Sequence, residues 1–414
     1  MRSNLFLPVC LLWLFSSSLL SAQDNFFLKD GQRVVFLGDS NTFAGGYVAY
    51  IDGYLFTRFP EKRFELINVG LPSETVSGLS ESAHPYPRPH VHTRLTKVLA
   101  TTKPDVVVVC YGMNDGIYHP QSEERFAAHK NGMLKLIKQV EDSGAKIVLV
   151  TTPPFDPIPV KTRLAPNSAD NFSWMKPYEK YDDVLTDYSE WLISLRKKGY
   201  MVIDVHRAIN RHLKAMRKTD PTYRVANDGI HPNTTGHWLW AAEILKAWGA
   251  TPLPVIDRKA NPGMSAFGIA AECSIPMPVP PSLPGKFPEK NTIQEALVGY
   301  KLRVKGCKRE QYKLMERKVK LGNVTKEQLQ SGVDLTQFPE LSICKTSQKI
   351  GSLAIKRSML LGRAYLTHIG HKRPNTPKGL PLKMAIAQAD QLEAQIRELT
   401  QKAKVSLMFA PTGN

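Results

Sequence analysis

Five short apolar runs constrain this chain more than any other feature: Arg33–Leu37, Phe64–Val69, Asp105–Cys110, Lys146–Val150 and Tyr200–Val205. They are rich in Val, Ile and Leu, bounded by Gly, Pro or Asn, and apolar continuously rather than at alternate positions. A strand with one covered face alternates; a run that is apolar throughout is covered on both. Between the runs, Gly46–Phe59, His92–Thr101, Glu123–Ser143 and Tyr181–Lys198 have helix-compatible composition and spacing. Alternation of strand and helix predicts a five-stranded parallel sheet with right-handed crossovers, hence a three-layer α/β/α sandwich. Thr234–Trp248 reads as its closing helix, stopped at Gly249.

The pattern breaks after residue 250. Proline density across Thr251–Glu289, greatest at Ile275–Pro281, prevents a regular helix and disfavours a central strand, so residues 251–290 read as a linker or strap. In residues 291–414, Tyr300–Val304, Tyr312–Leu314 and Val319–Leu321 suggest a short β-rich unit with a turn at Gly322-Asn323. Thr325-Lys326-Glu327-Gln328 resembles a capped helix start, and Pro381–Lys404 carries apolar residues at helical spacing. This C-terminal region is therefore expected to mix α and β structure behind a domain of residues 23–250.

At the other end, Arg2, the apolar stretch Leu5–Leu20 and the small pair Ser21-Ala22 read as a signal peptide over residues 1–22. The stretch is short for a membrane span and lacks a stop-transfer flank, so the expectation is a secreted or periplasmic protein without stable membrane insertion. Export permits disulfides. Cys110 lies in a predicted buried strand and reads as a core thiol; one disulfide is open among Cys273, Cys307 and Cys344, with its partners unassigned. No Cys/His spacing resembles a zinc site, and no metal is expected.

Net charge is +18, and residues from Val255 onward carry 26 Lys and Arg against 12 Asp and Glu, so most of the excess is C-terminal, densest around Lys301–Lys326. For an exported chain this favours an acidic polysaccharide over nucleic acid as partner, or only a solvated basic face.

Chemistry enters at the end of the first run. Gly38-Asp39-Ser40 follows it directly, and Asp228-Gly229-Ile230-His231-Pro232 lies far downstream. A serine alcohol is a poor nucleophile until a histidine takes its proton and a carboxylate fixes that histidine. Asp228 and His231 can supply orienter and base from one short loop. His237, six residues on in a predicted helix, is the rival base and reads as a packing residue; Asp39 and Asp115 read as structural. His84, His90 and His92 fall in a proline-rich segment that could form a pocket wall, with Arg88 as a candidate substrate contact.

Four blocks together, Gly38-Asp39-Ser40-Asn41-Thr42, Asn68-Val69-Gly70 with Leu71–Thr75, Tyr111-Gly112-Met113-Asn114-Asp115, and Asp228–Pro232, resemble the SGNH (GDSL) hydrolase superfamily in order, over about Arg33 to Gly249. Phe43 departs from the family's usual small or apolar residue. The resemblance implies a flavodoxin-like SGNH sandwich, Ser40 as nucleophile, His231 as base and Asp228 as its orienter. It also implies an oxyanion hole from Ser40, Gly70 and Asn114, with no cofactor. Secreted members with this second block look like carbohydrate O-acetylesterases, so a small acyl group on a polysaccharide is the expected substrate. A lipase or lysophospholipase activity, or an idle carbohydrate-binding protein, are the alternatives.

Overall fold

The computed structural model describes residues 25–251, 255–259, 269–274, 297, 301–401 and 404–412. The signal-peptide stretch and the Ile275–Pro281 run lie outside the described residues. The five apolar runs become strands β1 (Arg33–Gly38), β2 (Glu65–Asn68), β3 (Val106–Cys110), β4 (Lys146–Val150) and β5 (Met201–Ile203). All neighbours pair in parallel, in the order β2-β1-β3-β4-β5. This is the flavodoxin-like order, with its topological switch between β1 and β3.

Successive residues face opposite layers, which is why the runs need no polar alternation. Val34, Phe36, Val106, Val108, Val148 and Val150 pack on one side. They meet the helices α2 (Gly46–Arg58), α6 (Val205–Met216) and α7 (Thr234–Ala247), which follow the single-turn α1 (Ser40–Phe43) and precede the C-terminal region. Val35, Leu37, Ile67, Val107, Val109 and Leu149 pack on the other side, against α3 (Leu95–Thr102), α4 (Glu123–Asp142) and the end of α5 (Tyr181–Ser194). Helix α7 is buried nearly all round, and its Trp240 stacks on Tyr47 with ring centroids 4.3 Å apart.

Helix α6 differs from expectation, since Val205 was assigned to the last strand. Asp204 ends that strand by capping the Arg207 N–H, and Val205, Ala208, Ile209 and Leu213 bury one helical face.

The strap also differs. It contains β6 (Ile256–Lys259) and β7 (Ile269–Ser274), and both lie at sheet edges, where proline-rich flanks are tolerated. Beyond them come β8 (Lys301–Lys305), β9 (Gln311–Glu316), β10 (Val319–Thr325), α8 (Lys326–Ser331) and β11 (Val333–Asp334). The two long helices α9 (Ser342–Ile369) and α10 (Leu382–Gln401) precede β12 (Lys404–Pro411). The sheets run β10-β9-β12-β7 and β11-β8-β6. The expected turn at Gly322-Asn323 is instead strand, with a register shift between Lys320 and Gly322; the chain reverses just before, where Arg317 takes a φ of 55°. Thr325 and Gln328 form the full capping box. Cys307 and Cys344 are separate buried thiols, as is Cys110, and the side chain of Cys273 lies outside the described residues.

The C-terminal region is not an appendage on a string. Leu361, Tyr365, Leu366 and Ile369 of α9 and Ala389 of α10 join the core on the second face of the parallel sheet. Helix α9 crosses the end of β2 so closely that a Cβ on Gly362 would sit 2.9 Å from the Asn68 carbonyl oxygen. Buried Arg357 reaches Asp52 of α2 at 3.2 Å and Glu393 of α10 at 2.9 Å.

Candidate active site

Open parallel sheets bind ligands beyond the carboxyl ends of their strands at the switch point. Here β1 delivers Ser40 to that edge, and β3 delivers Asn114. Asp39 accepts the Asn41 N–H at 2.9 Å and starts α1, so Ser40 is the first helical residue and its N–H has no intrahelical acceptor. Burial pushes the Asp39 carboxyl up to about 7 against the opposing effect of that hydrogen bond.

The loop before α7 brings the distant residues in. His231 Nε2 lies 2.8 Å from Ser40 Oγ, and His231 Nδ1 lies 2.6 Å from Asp228 Oδ2. The other Asp228 oxygen accepts the backbone N–H groups of Ile230 and His231, at 3.0 and 2.8 Å. Burial acts to raise the Asp228 carboxyl, but the ring and backbone hydrogen bonds from His231 outweigh it and hold it well below the usual range. For His231 burial acts downward, and the Asp228 bond and charge reverse it, so the imidazole sits above its ordinary value. Such a line can carry a proton off the serine hydroxyl and return it to a leaving group. The side chains of His231 and Asp228 are 46% and 49% exposed, so the line opens to solvent.

The expected oxyanion donors fare differently. Gly70 donates its N–H to Asn68 Oδ1 at 2.9 Å, so that amide is already spent, which corrects its expected role. Glycine is needed there for close approach instead, since a Cβ would lie 2.3 Å from the Phe43 nitrogen. Along the same loop Leu71 N–H goes to Gly38 O, Glu74 N–H to Leu71 O and Thr75 N–H to Pro89 O, while Val76 and Ser77 both donate to Asp115. Ser73 N–H has no acceptor among the described residues, and Ser73 holds a left-handed φ of 65°. Sequence reasoning missed it because a serine gives no warning of positive φ; the signal is which amide the loop leaves over. Asn114 is buried, its Oδ1 accepts the Tyr118 hydroxyl at 3.2 Å, and one Nδ2 hydrogen goes to the Glu74 carbonyl at 3.2 Å. The second amide hydrogen remains to be donated.

Arg88 is not placed as a free substrate contact. Its guanidinium is buried, makes two 2.6 Å bonds to Glu81, and also donates to the Ser73 carbonyl, so it braces the loop. Glu74, Arg94 and Tyr111 form a second buried brace, with Arg94 also holding the Val69 carbonyl. His90 and His92 bond to the Val76 and Gly132 carbonyls, and His84 to that of Tyr86. His237 is buried beside Tyr47, and burial pushes it down to about 4, which fits a packing residue. Among the described residues no group of three His, Cys, Asp or Glu is arranged to hold a metal ion, and no helix is long and apolar enough to cross a membrane.

Residues 36–239 match the model of the GDSL-like lipase/acylhydrolase family. The chain belongs to that family. As an SGNH hydrolase it acts on ester bonds. It is similar to an acetylxylan esterase of Geobacillus stearothermophilus, at 25% identity over 237 residues, 54% of this chain and 96% of that relative. A solved gut microbial diltiazem-metabolizing enzyme shares the fold at 19% identity with a TM-score of 0.68, over 93% of this SGNH hydrolase and 98% of that chain. The likeness thus extends past the family region into the C-terminal helices and sheets.

Proposed function

We propose that the chain is an exported esterase that removes acetyl or similarly small acyl groups from a polysaccharide through an acyl-enzyme. Ser40 Oγ attacks the ester carbonyl while His231 Nε2 takes its proton, and Asp228 steadies the imidazolium. The tetrahedral oxyanion is met by the N–H groups of Ser40 and Ser73 and the Asn114 amide. The C–O bond to the sugar then breaks as the His231 imidazolium gives its proton to the departing sugar oxygen, which leaves as a free hydroxyl, with Ser40 acylated. In the second half-reaction His231 deprotonates water, which attacks the acyl carbon and releases the carboxylic acid and free Ser40.

The observation that carries this reading is the Ser40–His231–Asp228 line at 2.8 and 2.6 Å, with the His231 and Asp228 side chains about half exposed to solvent. The small acyl group and carbohydrate follow from similarity to the acetylxylan esterase, and export from residues 1–22.

The test compares p-nitrophenyl acetate and octanoate with acetylated xylan, using wild type and Ser40→Ala. Acetate should be cleaved faster than octanoate, acetic acid should be released from the polymer, and Ser40→Ala should be inert. Turnover by Ser40→Ala would overturn the serine mechanism, and preference for octanoate would favour a lipid substrate.

A further inference from the structure

Three cavities lie along α9 and share lining residues. The largest, about 760 Å³, lies between α9 and α10. A small one joins α9 to Phe43, Ala44 and Gly45, the residues that end α1 and follow Ser40. A third, of about 430 Å³, joins α9 to Pro232, Asn233 and Thr234, directly after His231. The large cavity shares Met359 and Arg363 with the small one and Ile355 with the third. Ile355, Met359 and Arg363 stand at i, i+4 and i+8, one stripe of a helix. Ile355 and Met359 remain well exposed, so the stripe is an open wall bordering both catalytic loops.

The lining has a definite chemistry. Lys356, Arg363 and Lys378 supply three positive charges, and no Asp or Glu lines the large cavity. None of the three makes an ion pair among the described residues. Across from them Gln388, Gln391 and Gln395 set a row of amides along α10. Amides donate and accept, as sugar hydroxyls do, and a guanidinium matches a carboxylate in a bidentate fork. The volume falls within the range of ordinary small-ligand sites.

We propose that this cleft binds an anionic, uronate-bearing oligosaccharide, the alcohol portion of the substrate, and so presents its acyl ester to Ser40. The inference rests on the esterase reading for its purpose, though not for its chemistry. It also moves the site of charge recognition. The cations lining the cleft are Lys356, Arg363 and Lys378, of which Arg363 also lines the small cavity at Phe43–Gly45, and no residue of the basic stretch at Lys301–Lys326 lines any of the three cavities.

Binding is tested without turnover. Oligogalacturonate, and neutral xylo-oligosaccharide of equal length, are titrated calorimetrically into Ser40→Ala protein. The same is done after adding Lys356→Gln, Arg363→Gln and Lys378→Gln. A charge-matched control carries Arg317→Gln, Lys318→Gln and Lys320→Gln, at the reversal between β9 and β10, and thermal unfolding checks that each variant is folded. Each exposed charge contact contributes modestly, so the three cleft substitutions together should weaken oligogalacturonate binding roughly tenfold. The control should not weaken it, and raising salt should erase the difference. Equal binding of neutral and acidic oligosaccharide, no binding of either, or equal losses in cleft and control variants would each overturn the proposal. Failure of wild type to cleave p-nitrophenyl acetate would instead sink the esterase reading and leave the binding result standing.

Discussion

Arg357→Met should cost stability in a way that depends on pH. Arg357 is buried between Asp52 and Glu393 and ties α9 to α2. Burial raises Asp52 from its ordinary 3.8 to about 6, with Arg357 the chief opposing influence. Holding that carboxylate ionised at pH 7 therefore already costs about 3 kcal/mol in the native wild type. Without the guanidinium the cost rises only until the group takes up a proton, which limits it at pH 7 to about 4 kcal/mol on the same scale. The electrostatic penalty of the substitution is thus about 1 kcal/mol at pH 7, and about another 1 kcal/mol by pH 8. Loss of the Glu393 bond adds about 1 kcal/mol at every pH. The sign follows from linkage. A native carboxyl that ionises late holds an extra proton, so stability falls as pH rises, in wild type from about 4 to 6 and in the variant further upward. Urea unfolding at pH 5.5, 7 and 8 measures this. The gap should be near 1 kcal/mol at pH 5.5, about 2–3 at pH 7 and larger at pH 8. A gap that does not change with pH would refute the reasoning, since Asp52 would then not be the group left stranded.

Asn114→Ala should lower kcat about a hundred- to a thousandfold with little change in KM, as for one lost oxyanion donor; a rise in KM alone would make it a ground-state contact. Ser73→Gly keeps the amide and relieves a left-handed serine, so it should cost far less activity while raising stability by up to about 1 kcal/mol; a loss equal to that of Asn114→Ala would implicate the hydroxyl instead. Because Asp228 raises the His231 imidazole, kcat/KM should fall as pH drops through that raised value, and Asp228→Asn should move the acid limb to lower pH; an unmoved limb would assign it to another group, such as Asp39.

What the sequence made legible was local. Val106–Val109 must be covered on both faces wherever they go, and Gly38-Asp39-Ser40 ends its strand by adjacent residues alone, so the sheet and the serine could be read directly. The free amide could not. Gly70 N–H is taken by the nearby Asn68 Oδ1, but Leu71 and Thr75 are satisfied only by Gly38 O and Pro89 O from other parts of the chain, and it is this whole set that leaves Ser73 over. Helix α9 was hidden for a related reason. Its Ser358 and Gly362 interrupt the apolar pattern because they lie against the Gly45 and Asn68 backbone, where a larger residue would not fit. Small residues that look like helix breakers in one dimension are here the imprint of a tight crossing.

Strand β12 lies between β9 and β7, paired to both, although β7 precedes α9 and α10 and β12 follows them. As the chain leaves the ribosome, the β9–β10 hairpin can close at once, but β7 waits unpaired until residues 404–411 emerge. Premature termination or trimming before Lys404 would therefore do more than shorten a sheet. It would part it down the middle and expose two raw edges, each a template for another chain.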